Sequence, residues 1–175
     1  MKNTTKNICV TALGIALFVV LSLCLQVPIF ENYYLCLGYV VLAVYCYSFG
    51  VGKSVCVGFL GVILYCLLTS GLRGMPGWSL GNIVIALATS LVCTFTEKLK
   101  NKMIRHILIA VVMVISTAVG ILGVKSFTEC LLYSQPFLLR VAKNVYAFAA
   151  DSFVLVFSIP ICYYLNPIIK KYFTE

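Results

Sequence analysis

The chain has 175 residues, of which 62% are hydrophobic and 10% charged, with a mean hydropathy of +1.07. Soluble domains carry about 45–50% apolar and about 25% charged residues, so this composition excludes an ordinary water-soluble fold and places the chain in a bilayer. The formal charge of +8, thirteen Lys and Arg against five Asp and Glu, would point to nucleic acid in a soluble protein; in a membrane chain it is first an orientation signal, and no nucleic-acid partner is expected.

A membrane-crossing helix needs about 20 apolar residues, and the chain has room for about six with little left for connections. Apolar runs and their breakers predict spans over 8–27, 35–49, 51–70, 79–96, 106–124 and 142–165, an all-α six-span transmembrane bundle forming a single domain over 1–175. The first run follows Lys2 and Lys6 as a signal peptide would. It is too long for a signal h-region and lacks an AxA-like cleavage site, so it is expected to remain as a span. Pro28 closes it, Gly50 and Gly52 punctuate the turn between the second and third, and Ser70, Gly71, Gly74, Pro76 and Gly77 separate the third from the fourth. The stretch 125–141 is too polar to span and too apolar for open water, which predicts an interfacial segment.

Threading six spans alternately with the N-terminus inside puts Lys2, Lys6, Lys53, Lys98, Lys100, Lys102, Arg105, Lys170 and Lys171 on the cytoplasmic side and only Arg73, Lys125, Arg140 and Lys143 outside. Nine cations against four set both termini in the cytoplasm. A five- or seven-span count would split the basic run 98–105 from the Lys170, Lys171 tail, the less favourable arrangement.

Catalytic chemistry has no foothold. HExxH, GxSxG and the P-loop pattern are absent, no carboxylates pair within a span, and the single His106 sits at a span edge, so neither catalytic nor metal residues nor a cofactor are expected. The nine cysteines lie almost all in apolar runs with no CxxC and read as small hydrophobes; only Cys130 falls outside a predicted span. Without a P-loop the chain cannot hydrolyse nucleotide, so active transport would require a separate motor.

The polar residues of the spans gather toward the outside. The fourth span enters there at Trp78, Ser79 and Asn82, and the sixth at Lys143, Asn144, Tyr146 and Asp151. Trp78 and Asn82 share a helix face, and Asn144 and Asp151 nearly eclipse each other, so each pair can line one wall. An ionised Asp151 about two turns into a span costs roughly 2.5–3.5 kcal/mol on insertion scales if it meets lipid, so it faces protein, water or a ligand. The outer connections supply Glu31 and Asn32 after the first span, Arg73 after the third, and Tyr133 and Arg140 before the sixth. Aromatic faces, amides and a few charges suit a small planar polar ligand, although tyrosines and Trp78 also serve as an interfacial belt, and buried amides also bond to one another or to backbone. In the first span, Ala12 and Ala16 flank Gly14 in a small-xxx-small pattern that permits close approach of another helix, within the chain or from a partner.

Ala12 and Ala16, the stretch LGYVVLAVYCYSFGVGKSVCVGFLG from Leu37 to Gly61, the PGWSLGN run from Pro76 to Asn82 and the closing IPICYYLNPIIKKY together resemble the substrate-binding S component of an energy-coupling factor (ECF) transporter, of the riboflavin type or a related micronutrient type. The resemblance implies a bacterial cytoplasmic membrane protein. It would capture a small heterocycle from outside and deliver it inward with a membrane-embedded T component, docked on Ala12 and Ala16, and two ATPase subunits. Riboflavin, another B vitamin or a queuosine precursor such as queuine are the expected cargoes, with the acidic Asp151 favouring a cationic or multiply donating ligand. Two readings from other classes stand beside it: a structural or regulatory membrane subunit without ligand, and a small ion-coupled carrier.

Overall fold

A computed structural model describes residues 2–24, 26–30, 33–99 and 101–174. Helix α1 (Lys2–Cys24) runs into a two-stranded antiparallel hairpin, β1 (Gln26–Phe30) and β2 (Tyr33–Cys36). Then follow α2 (Gly38–Ser48), α3 (Val51–Leu68), α4 (Met75–Thr96), α5 (Lys102–Thr117), a π-helical stretch (Ala118–Lys125), α6 (Ser126–Tyr133), α7 (Phe137–Phe157) and α8 (Ile159–Ile169), closed by a π-helical turn (Lys170–Thr174).

Four helical segments are long and apolar enough to cross a membrane: Thr4–Cys24, Val51–Leu68, Met75–Thr96 and Lys102–Tyr133. Helices α7 and α8 add a fifth if they are one span, bent by 47° at Ser158, where Pro160 follows in the first turn of α8. The outward faces carry Leu13, Leu17, Val20, Leu64, Leu91, Ile115 and Phe153, all exposed, as expected of walls that meet hydrocarbon.

Two expectations are corrected. The second run, 35–49, is not one helix throughout: β2 takes residues 33–36 and leaves α2 with 11 residues, a rod of about 16 Å at 1.5 Å per residue. Nine of those residues are buried, so α2 is the central post of the bundle, consistent with a helix apolar on every side. The stretch 125–141 is not an interfacial segment throughout. Its first half continues α5 through the π-helical stretch into α6, giving one 32-residue helix that ends only where Ser134 adopts φ 52° and Pro136 caps α7. The wider π turns let Lys125 and Ser126 remain in a helix although their side chains are polar, because those side chains are turned toward α4 and α7 rather than lipid.

Packing is close where side chains are smallest. Gly81 of α4 meets Gly120 of the π-helical stretch so nearly that a Cβ on Gly81 would stand 2.6 Å from the Gly120 carbonyl oxygen, and one on Gly77 would stand 2.9 Å from that of Lys125. Small groups stitch the other seams: Tyr45 Oη donates to the Val10 carbonyl at 2.6 Å, joining α2 to α1, and Ser54 Oγ and Ser90 Oγ lie 2.6 Å apart between α3 and α4. At the end of the bundle that carries the basic run, Asn101 caps α5 by accepting from the Met103 and Ile104 amides, and Lys170 pairs with Glu97.

Candidate functional site

Tyr39, at the start of α2, is the centre of a buried polar chain at the hairpin end of the bundle. Its hydroxyl accepts from Trp78 Nε1 at 2.8 Å and donates to Asn82 Oδ1 at 2.7 Å; Asn82 Nδ2 in turn donates to the Gly58 carbonyl at 3.4 Å. Trp78 and Asn82, one turn apart on α4, thus grip the same phenol from the same helix face. The Trp78 ring also meets Tyr65 edge to face with centroids 5.6 Å apart, which fixes the indole.

Asp151 on α7 reaches this chain from the opposite wall. It is 4% exposed and lies beside the Tyr39 hydroxyl and in the field of Lys125. A phenol has one hydrogen, and this one goes to Asn82 Oδ1, so the neighbouring Asp151 carboxylate cannot take it at the same time. Strand β2, which packs along α7, closes this end of the bundle.

A second polar cluster lies one to two turns along α7. Asn144, 1% exposed, donates through Nδ2 to Ser126 Oγ at 3.0 Å and to Glu129 Oε2 at 3.1 Å. Arg140 Nη1 stands 3.7 Å from the same carboxylate oxygen. The Arg140 and Arg73 guanidiniums lie 5.6 and 5.8 Å from the Tyr133 ring centroid, and the Tyr133 hydroxyl donates to the Arg73 carbonyl at 2.5 Å. This links the connection between α3 and α4 to the end of α6.

Of the residues singled out from sequence, Trp78, Asn82 and Asp151 therefore converge on one phenol, while Arg73, Tyr133, Arg140 and Asn144 belong to the adjoining cluster. Lys143 is exposed on α7 and takes part in neither. Glu31 and Asn32 lie outside the described residues. Ala12 and Ala16 are exposed along α1, with Gly14 between them buried against Tyr45. His106 packs edge to face on Tyr163 at the far end of the bundle, 5.2 Å between centroids. Tyr39 itself, Ser126 and Lys125 escaped the sequence reading. The signal for Tyr39 was the length of the second apolar run: once the hairpin shortens it, Tyr39 stands in the first turn of α2, at the same end as Trp78.

The model of the family "ECF-type riboflavin transporter, S component" matches residues 2–166. Among curated proteins, the chain is similar to UPF0397 proteins of Streptococcus agalactiae, from serotypes Ia and V. Each is 28% identical over 142 residues, covering 77% of this chain and 75% of the relative. Such a component is a membrane-embedded part of a transporter and not an enzyme. A matched region that runs from α1 into α8 makes this chain a member of the ECF-type riboflavin transporter S-component family.

Proposed function

We propose that this chain captures a small vitamin-like or nucleobase-like heterocycle from outside the cell and passes it inward in concert with a T component and two ATPase subunits. The observation that carries the reading is the buried Asp151 carboxylate beside a Tyr39 hydroxyl whose one hydrogen goes to Asn82 Oδ1. The carboxylate then has acceptor capacity for a donor from a ligand edge, near the indole of Trp78. Riboflavin and queuine each offer a flat ring with N–H groups, and a B vitamin of the same kind would join that set. The carboxylate favours the donor-rich members of that set.

In this reading α1, β2 with α2, α3, α4, α5 with α6, and α7 with α8 make six passes, and both termini lie in the cytoplasm of a bacterial cell. The support is the cation asymmetry, nine against four. Trp78, Asn82 and Asp151 contact the ligand, while Arg73, Tyr133, Arg140 and Asn144 form the mouth. Ala12 and Ala16 take the T component, a role their exposed, small-residue face suits.

The test is to purify the chain from its native membrane, denature it and identify released small molecules by absorbance and mass spectrometry. A stoichiometric heterocycle that is lost in Asp151→Asn, with thermal unfolding preserved, is the expected result. Protein that is empty after purification and remains so when offered flavins, other B vitamins and queuine would overturn the reading in favour of a subunit that carries no ligand.

A further inference from the structure

A groove of about 470 Å³ lies at the opposite end of the molecule, between α5 and the bend of α7 into α8. Its floor and walls are Ile107, Ala110, Val156, Ile159 and Pro160, and its rim is His106 with Tyr163 and Tyr164. The rim is cationic and aromatic together. Lys102 Nζ donates to the Tyr163 hydroxyl at 3.2 Å and stands 5.7 Å from that ring, which His106 meets edge to face. Glu97, the acidic residue nearest in sequence, is already paired with Lys170.

We infer that this groove holds one acyl chain of an anionic phospholipid, with the phosphate on Lys102 beside Tyr163. Two observations select that occupant. The walls are aliphatic faces of regular helices whose backbone groups are already bonded within the helices, which suits an acyl chain because it needs no polar partner. The rim supplies positive charge at the end of the bundle where the basic run 98–105 lies, which complements a phosphodiester at the membrane surface. The 47° bend lies within the groove's lining, between Val156 and Ile159.

The experiment is native mass spectrometry of the delipidated full chain, titrated with phosphatidylglycerol and with phosphatidylcholine of identical acyl chains. Phosphatidylglycerol is expected to bind the more tightly. Lys102→Gln, an exposed position that leaves the core intact, is expected to weaken it about fivefold, the factor for one basic residue at an anionic surface, without changing phosphatidylcholine. Ala110→Trp, which fills the groove, should remove both, with an unchanged unfolding midpoint verifying the fold. A photo-crosslinker at Ile107 in membranes should capture phospholipid. Equal binding of the two lipids, indifference to Lys102→Gln, or a crosslink to a polypeptide instead of lipid would each overturn the assignment.

Discussion

Tyr39 donates its phenolic hydrogen to Asn82 Oδ1 across 2.7 Å, a bond between residues 43 positions apart that joins the top of α2 to α4. Because Trp78 Nε1 donates to the Tyr39 hydroxyl oxygen, that one hydroxyl holds an amide and an indole of α4 in a single orientation. Tyr39→Phe leaves a buried amide oxygen and a buried N–H unpaired. It should lower stability by about 1–3 kcal/mol, the desolvation cost of an unsatisfied buried group. Thermal unfolding in detergent measures this; a midpoint equal to wild type would show that water restores the bonds.

Asp151→Asn keeps the shape of the side chain and removes its charge. Charge-assisted hydrogen bonds are worth about 1.5–3 kcal/mol, so ligand affinity should fall about ten- to hundredfold while unfolding changes little. Equilibrium binding of the heterocycle released from the wild-type protein provides the readout.

Ala12→Trp and Ala16→Trp place an indole on an exposed face of α1 without entering the bundle. Uptake in cells that also contain the T component and the ATPases should be abolished, whereas ligand binding by the isolated chain should persist. Loss of binding as well would assign these alanines to the internal fold.

Gly81→Ala puts a methyl group 2.6 Å from the Gly120 carbonyl oxygen, a backbone atom that cannot swing aside. Overpacking of this kind costs about 1–3 kcal/mol. A drop in unfolding temperature, together with little effect from Gly74→Ala, where the added Cβ meets open space, is the expected pair of results.

The hydrogen bond from Lys170 holds the Glu97 carboxyl below its ordinary value of 4.5. A carboxyl whose folded value is depressed adds stability above its unfolded value and loses it as pH falls through the folded one. The difference in unfolding temperature between wild type and Lys170→Ala should therefore be present at neutral pH and close below about pH 4. Both side chains are about half exposed, so the difference is small, and added salt should shrink it.

The helical bundle was legible because lipid demands long apolar runs, and Ile8, Val51 and Ile83 each open or lie within one. Two features were hidden for physical reasons. Residues 26–27 and 35–36 are apolar enough to read as span ends, so the hairpin is invisible to hydropathy; only its register shows that β2 claims Tyr33–Cys36. Ser126 and Glu129 looked too polar for a span, yet their polarity is met by Asn144 across the bundle, a pairing no local pattern encodes. Asp151, Asn82 and Trp78 stood out as polar or interfacial groups at one end. The Gly77 and Gly81 spacing that seats α4 was also present in the sequence, as a GxxxG pattern inside PGWSLGN.

The crossing of Gly81 on Gly120 has a mechanical corollary. Where two main chains touch with nothing between them, neither rod can roll about its own axis without driving an oxygen into its neighbour. Helix α4 and the long helix through residues 102–133 must then travel as one block. Any breathing that admits or frees a solute has to come from the pieces free of that lock: the hairpin, α1, and the hinge at Ser158.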